Sequence, residues 1–110
     1  MDIKQTTNAF AALSQTTRLE ALRILIKSGA DGMLAGDISD LLEVRQNTMS
    51  ANLSVLLQAG LVRNEREGRS IRYYADFEGL RGVLVFLMED CCGGSPEKCQ
   101  PLINEIACAC

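Results

Sequence analysis

Five cysteines carry the reactive chemistry of this 110-residue sequence, and all of them lie in its last twenty residues. Three stand close together in the segment EDCCGGSPEKC, at Cys91, Cys92 and Cys99. Neighbouring residues of a regular helix point about 100° apart, so Cys91 and Cys92 can face one ion only where the helix ends. The Gly-Gly pair that follows permits such an end, and the chain before Cys99 is long enough to turn back. The spacing therefore predicts three sulfurs meeting at a helix end.

The choice of ion depends on the donor set, because the sequence contains no histidine. Three thiolates favour a soft, thiophilic ion. Trivalent arsenic forms three covalent bonds to sulfur and needs no fourth ligand. Zinc usually takes four ligands, so it would have to recruit Cys108, Cys110 or a carboxylate such as Glu89. A third alternative is a redox or persulfide sensor, which needs only two cysteines that can join.

The composition is that of a small cytoplasmic protein. With 47% hydrophobic and 23% charged residues, the chain falls among ordinary globular proteins of one domain. No apolar run approaches the roughly 18 residues of a membrane-spanning helix, and the start MDIKQTTNAF lacks the blocks of a signal peptide. Since the cytosol keeps thiols reduced, the cysteines favour metal binding or redox sensing over disulfides. Without histidine no general base is evident for the thiols, so we expect neither enzyme activity nor an organic cofactor.

Two helices are predicted at the start of the chain. Apolar residues recur at helical spacing from 8 to 27, with a break at LSQTT where Ser14 or Thr16 would cap the second helix. The glycine-containing stretch 28–32 predicts a turn after it.

A helix-turn-helix is predicted next. Residues 37–42 carry apolar side chains at helical spacing, and this short helix would start near Ala35 or Gly36. A second helix over 47–58 has an apolar stripe, with Asn47 as its cap and Gly60 where it terminates. Two short helices joined by a tight turn are typical of this motif.

A hairpin and a long helix complete the prediction. Residues 61–76 alternate β-favouring and charged side chains around Gly68, which predicts two strands and a turn. The last helix would run over 76–92, with a seam that faces a partner helix. That seam consists of Phe77, Leu80, Leu84, Leu87 and Cys91. We therefore divide the chain into a DNA-binding and dimerisation domain at 1–92 and a cysteine-rich tail at 93–110.

The charge distribution favours DNA as the partner of the helix-turn-helix. Residues 45–74 hold five arginines and two glutamates, although the whole chain has a net charge of -3. The polar face of the second helix carries small uncharged side chains that can approach base edges, and Ala51 could meet a thymine methyl. The hairpin arginines would contact phosphates. The alternative is a solvated amphipathic helix, with the arginines as a soluble edge of the hairpin. The predicted DNA-binding residues are Arg45, Gln46, Asn47, Thr48, Ser50, Ala51, Asn52, Ser54, Arg66, Arg69 and Arg72.

The runs ALSQTTRLEALRIL and RQNTMSANLSVLLQAGLVRNEREGRSIRYYAD resemble the ArsR/SmtB family of winged-helix repressors over most of residues 8 to 90. This resemblance implies a homodimer built on the first and last helices, recognition of double-stranded operator DNA by 47–58, and a wing at 62–74. Two departures stand out. Family members commonly carry Arg-His where this chain has Ala51 and Asn52, and the cysteines of the best-known arsenite site are absent from MLAGDISDLL.

The segment CCGGSPEKC is similar to a branch of arsenic-responsive ArsR repressors in which such cysteines bind As(III). The resemblance implies Cys91, Cys92 and Cys99 as ligands, with Cys108 and Cys110 as accessory residues of the tail. It also implies a repressor that binds operator DNA in the apo form and is released by As(III) or Sb(III). The alternatives are a redox or persulfide-sensing repressor of the same family and an intracellular metal-binding protein without a DNA function.

Overall fold

The computed structural model describes residues 1–88, 100–102 and 104–106. Among these residues, the strands form one antiparallel sheet in the order β1-β3-β2. The predicted fold class, mainly α with a small β-hairpin wing, is confirmed. In chain order the elements are α1 (Ile3–Leu13), α2 (Thr16–Ser28), a 3-10 turn (Gly29–Asp31), β1 (Met33–Leu34), α3 (Ala35–Leu42), α4 (Gln46–Gln58), β2 (Val62–Glu67), β3 (Ser70–Ala75) and α5 (Phe77–Met88).

Helix α1 begins earlier than the apolar pattern predicted, because a capping box precedes that pattern. The Asp2 carboxylate accepts a hydrogen bond from the Gln5 backbone N–H at 2.8 Å, and the Gln5 side chain accepts one from the Asp2 N–H at 2.9 Å. Each side chain satisfies a backbone donor that the first helical turn leaves unpaired. The helix therefore starts at Ile3 rather than near residue 8.

The break between α1 and α2 lies at the predicted position, but the predicted cap is wrong. Gln15 is the N-cap of α2, and its side chain accepts from the Arg18 backbone N–H at 2.9 Å. Ser14 instead ends α1, where its hydroxyl donates to the Ala11 carbonyl oxygen at 2.7 Å. Thr16 is the first residue of α2. The longer amide side chain of Gln15 takes the role that a hydroxyl was expected to fill.

The turn between α3 and α4 is fixed by a left-handed residue. Glu43 ends α3 with φ of 54°, and the Val44 N–H donates back to the Ser39 carbonyl oxygen at 3.0 Å. The Ser39 hydroxyl in turn donates to the Val44 carbonyl oxygen, so the turn closes on itself. The helix-turn-helix prediction is confirmed at this point.

The predicted cap of α4 is wrong. Arg45 occupies the N-cap position and makes no side-chain capping bond there. The Asn47 carboxamide oxygen lies inside the first turn and accepts from the Thr48 N–H at 2.8 Å. One end of α4 is therefore left without the side-chain cap that the sequence suggested.

The hairpin prediction is confirmed, and a further strand joins it. Strands β2 and β3 pair from Val62 opposite Ala75 to Glu67 opposite Ser70, with Gly68 in the left-handed region at φ of 64°. The two-residue strand β1 pairs with the other edge of β3. Its pattern is too short to be recognised in a sequence.

The core lies between α2, α3, α4 and the sheet. Three of its largest side chains come from one stripe of α4, which is thereby held against the body of the protein. The largest fully buried residues are Leu25, Ile38, Met49, Leu53, Leu56, Leu61 and Val62.

Helix α5 buries little of its apolar surface. Val83 is only 7% exposed, whereas Phe77, Leu84 and Leu87 of the predicted seam are 53%, 54% and 53% exposed. Leu80 is half-buried against the core. An exposed apolar stripe of this kind usually marks a contact surface.

The start of α5 is fastened to the end of α4 through two glycines. A Cβ atom on Gly79 would collide with the carbonyl oxygen of Gly60, which follows α4 with φ of 78°. The Asp76 N–H donates to the Leu61 carbonyl oxygen at 2.9 Å, and the Asp76 carboxylate accepts from the Gly79 N–H at 3.1 Å. The two backbones therefore pack directly against each other.

Candidate nucleic-acid interface

The outer face of α4 is exposed and uncharged. The residues on this face are Gln46, Asn47, Thr48, Ser50, Ala51 and Ser54, and all six are solvent-exposed. The opposite side of the helix is anchored by Met49, Leu53 and Leu56, which are fully buried. Small polar side chains on a firmly held helix can approach base edges closely and donate or accept hydrogen bonds there.

Asn52 does not share this outer face. The residue is 9% exposed, and its side-chain oxygen accepts a hydrogen bond from a guanidinium N–H of Arg18 at 3.2 Å. The predicted DNA-binding residue Asn52 therefore points into the contact between α4 and α2. Because Asn52 is buried, it is not among the predicted DNA-binding residues that the structure exposes on the outer face of α4.

The N-terminal end of α4 has a positive character. Arg45 is exposed at the N-cap position, and the first turn of the helix contains no acidic residue. Free backbone N–H groups at a helix N-terminus attract anions, so this end of α4 suits a phosphate group.

The tip of the wing carries two exposed arginines. Arg66 and Arg69 flank Gly68 at the hairpin turn, and both side chains are exposed. In the part of the chain that the structure describes, the ion pairs are Arg63 with Glu65, Arg72 with Glu67 and Arg81 with Glu78. Arg66 and Arg69 thus form no ion pair with the other described residues.

Arg72, the third predicted wing arginine, is bound within the protein. Its guanidinium donates to the Glu67 carboxylate and, at 3.2 Å, to the Asp31 carbonyl oxygen. The hydrogen bond to Glu67 raises the pKa of Arg72 above its ordinary value, although partial burial opposes this. The structure therefore places Arg72 in the middle of β3, where its side chain joins this strand to the end of β2 and to the turn before β1.

Tyr74 organises the other side of the wing base. Its ring lies 4.3 Å below the Arg63 guanidinium carbon, and its hydroxyl donates to Glu65 at 3.4 Å. Arg63 also forms a 3.5 Å ion pair with Glu65. Burial and the nearby Glu65 carboxylate raise the pKa of Tyr74 above 10.0. The protonated hydroxyl is the form that donates to Glu65.

Arg18, which donates to Asn52, was not singled out in the sequence. It lies in an ordinary amphipathic helix pattern, and its contact with Asn52 spans 34 residues of chain. No local motif marks such a pair.

The predicted metalloid ligands Cys91, Cys92 and Cys99 and the accessory Cys108 and Cys110 all lie outside the described residues. The ligand prediction stays a prediction. Within residues 1–88, 100–102 and 104–106, no cluster of three or more metal-binding side chains occurs. In the same stretches, no helix has the length and hydropathy needed to cross a bilayer.

The sequence matches the model of a helix-turn-helix domain family over residues 13–65. It is also similar to the uncharacterized HTH-type transcriptional regulator YbzH of Bacillus subtilis (strain 168). The two are 33% identical over 90 residues, which cover 71% of this chain and 90% of the relative.

Two solved structures extend this similarity to the fold. An ArsR-like transcriptional regulator from Rhodococcus sp. RHA1 is 30% identical with a TM-score of 0.69, covering 94% of this chain and 93% of the other. A homodimeric winged helix-turn-helix DNA-binding domain from Mycobacterium bovis, a possible ArsR-family transcriptional regulator, is 28% identical with a TM-score of 0.64. That match covers 80% of this chain and 81% of the other. The winged helix-turn-helix prediction is confirmed, and the Mycobacterium bovis domain among the similar structures is a homodimer.

Proposed function

Because this chain belongs to the ArsR family of helix-turn-helix transcriptional regulators, we propose that it is a homodimeric, metalloid-responsive repressor. In this proposal it binds double-stranded operator DNA in the apo form and leaves the DNA when As(III) or Sb(III) binds. The observation that carries the proposal is the thiol-rich segment CCGGSPEKC at residues 91 to 99.

The DNA-binding part of the proposal rests on α4 and the wing. The exposed uncharged face of α4 would enter the major groove, where Asn, Gln, Ser and Thr side chains can bond to base edges. Arg66 and Arg69 would contact phosphates beside the groove, and Arg45 would contact one at the start of α4. In this arrangement α4 would recognise the base sequence. The arginines would supply the salt-dependent part of the affinity for DNA.

A second copy of the chain would cover the exposed apolar residues of α1 and α5. In α1, Ile3 and Phe10 are 69% and 45% exposed, and α5 exposes Phe77, Leu84 and Leu87. A two-fold dimer built on these helices would place two α4 helices against successive half-sites of an operator palindrome. The homodimer of the Mycobacterium bovis domain supports this arrangement.

The donor set of the cysteine segment supports a metalloid inducer. Cys91, Cys92 and Cys99 would supply three thiolates, the number that a trivalent metalloid binds, in a chain that contains no histidine. Release from DNA requires that the inducer bind the DNA-free state more tightly, typically by about 1 to 3 kcal/mol. By the same linkage, operator DNA must weaken arsenite binding by an equal factor.

The test is an anisotropy titration of the reduced protein on a duplex from its own promoter, with and without arsenite. Arsenite should release the wild type but not Cys99→Ser. The matched control is the double substitution Cys108→Ser with Cys110→Ser, which removes thiols from the same tail and should still respond.

Two other results would overturn the proposal in different ways. If the wild type stays bound in arsenite and is released only by an oxidant, the cysteines form a redox or persulfide switch. If the protein binds arsenite but no duplex, it is a metal-binding protein without a DNA function.

A further inference from the structure

Arg18 connects three helices through one side chain. Its Nε–H donates to the Ala12 carbonyl oxygen in the last turn of α1 at 2.6 Å. Its Nη1 donates to the Asn52 side-chain oxygen in the middle of α4 at 3.2 Å. Arg18 itself belongs to the first turn of α2. A single guanidinium group on α2 is therefore hydrogen-bonded to both α1 and α4.

The partner on α4 is poorly placed to find another donor. Asn52 is 9% exposed and is flanked on α4 by Met49 and Leu53, which are fully buried. A buried carboxamide oxygen without a donor costs free energy, so the contact with Arg18 is favoured over a rotated α4. The guanidinium also makes the bond stronger than a neutral donor would.

The side of α4 that faces α1 is only partly covered by other side chains. A solvent-open groove of about 500 Å³ lies between α1 and α4, lined by the exposed residues Asn8, Ala11, Val55 and Gln58 among others, and Arg18 forms part of its wall. Solvent rather than side chains therefore borders α4 along this groove, whereas Met49, Leu53 and Leu56 pack against the core on the buried face. The hydrogen bonds of Arg18 supply a constraint at the place where side-chain contacts are sparse.

We propose that Arg18 is a positioning residue for DNA recognition, which acts through Asn52 to set the rotation of α4 about its own axis. The inference rests on the proposed DNA-binding function of α4. A small rotation would turn the outer face, with Asn47, Ala51 and Ser54, away from the base edges. Since Arg18 also holds α1, it joins the helix of the proposed dimer surface to the helix that reads DNA.

A phosphate contact is the rival role for this arginine, and the two roles leave different signatures. Removing a phosphate contact weakens binding to every sequence and lowers the slope of log affinity against log salt by about 0.9. Removing a positioning contact weakens binding only to the specific sequence. The ratio of specific to non-specific affinity separates them.

The experiment compares Arg18→Met, Asn52→Leu, their double variant and Asn52→Asp. Anisotropy is measured over a salt series on the protein's own promoter duplex and on an unrelated duplex of equal length. Arg18→Met and Asn52→Leu should each lower the affinity ratio by about tenfold and leave the salt slope unchanged. The double variant should lose no more than the worse single variant, since one contact is removed. Asn52→Asp should keep the wild-type ratio, because a carboxylate oxygen still accepts from Arg18.

Amide hydrogen exchange gives a readout that needs no DNA. Exchange in α4 should be faster in Asn52→Leu than in Asn52→Asp, while the core amides of α2 should match. If Arg18→Met fails to fold, this pair of Asn52 variants decides the question. Unchanged exchange with an unchanged affinity ratio would overturn the proposal, and so would equal losses on both duplexes with a lower salt slope. If the wild type binds neither duplex, the proposed DNA function fails, and the exchange data alone decide whether Arg18 holds α4.

Discussion

The outer face of α4 and the tip of the wing are both exposed, but they are built in opposite ways. The α4 face is uncharged and is held from behind by buried Met49, Leu53 and Leu56 and by the Asn52 contact. The wing tip carries two arginines on a hairpin that projects from the sheet. Base edges must be met within a fraction of an ångström, whereas a phosphate attracts a cation over a longer range. The outer face of α4, which would recognise bases, therefore needs a helix held by buried side chains. The tip of the wing, which would contact phosphates, needs only exposed positive charge.

The wing itself repeats this division. Along its strands, Arg63 and Arg72 are held by ion pairs with Glu65 and Glu67. At its tip, Arg66 and Arg69 extend into solvent. The local excess of positive charge is therefore concentrated where a DNA backbone would pass.

The largest effect is expected from a negative charge on the α4 face. Ala51→Asp would place a carboxylate against the groove, and like-charge contact with DNA should lower operator affinity by about 100-fold or more. Ala51→Ser is the matched control, because it is small and uncharged and should retain most of the affinity. Fluorescence anisotropy on the promoter duplex measures both. Full binding by the aspartate variant would show that α4 does not face DNA.

An intermediate effect is expected from the wing tip. Replacing Arg66 and Arg69 by glutamine should lower affinity about tenfold on specific and unrelated duplexes alike, and each phosphate that is no longer neutralised should reduce the salt slope by about 0.9. Lys27→Gln, which removes a positive charge from the exposed side of α2, should change the slope little. A selective loss of affinity for the operator would instead assign sequence reading to the wing.

The smallest effect is expected at the wing base and appears only at high pH. The folded-state pKa of Tyr74 is raised above 10.0 by burial and by Glu65. The contribution of the protonated Tyr74 hydroxyl to the free energy of unfolding is fully present below pH 10.0. It is lost as the pH rises through the raised folded-state pKa. Tyr74→Phe should lack this decline, and Glu65→Gln should reduce it. Urea denaturation over a pH series measures the difference, and parallel curves for wild type and Tyr74→Phe would contradict it.

Periodicity was sufficient to predict α3, α4 and the hairpin, because each has a repeating apolar pattern and a clear turn signal. The helix caps were harder to predict, since Gln15 capped α2 in place of the expected Ser14 or Thr16, and the Asp2 cap of α1 was not predicted. Capping is decided by which side chain reaches a free N–H, and sequence gives only a preference. Strand β1 was missed because two residues carry no period.

The assignment of Asn52 shows where helix geometry could have been used more fully. Asn52 lies three residues after Met49 and four before Leu56, so it shares their side of the helix. That spacing was visible in the sequence. Its partner Arg18 was not, because a contact across 34 residues depends on how the helices pack. The cysteine ligands remain a prediction from composition and resemblance.

The glycine contact between α4 and α5 has a consequence for the length of the operator. Because a Cβ at position 79 would collide with the Gly60 carbonyl oxygen, even Gly79→Ala would force α5 away from the end of α4. In the proposed dimer α5 lies at the two-fold axis, so that shift would be doubled between the two recognition helices. The number of base pairs between the two half-sites would then depend on the absence of a Cβ atom at position 79, which lies in α5 and not in the recognition helix.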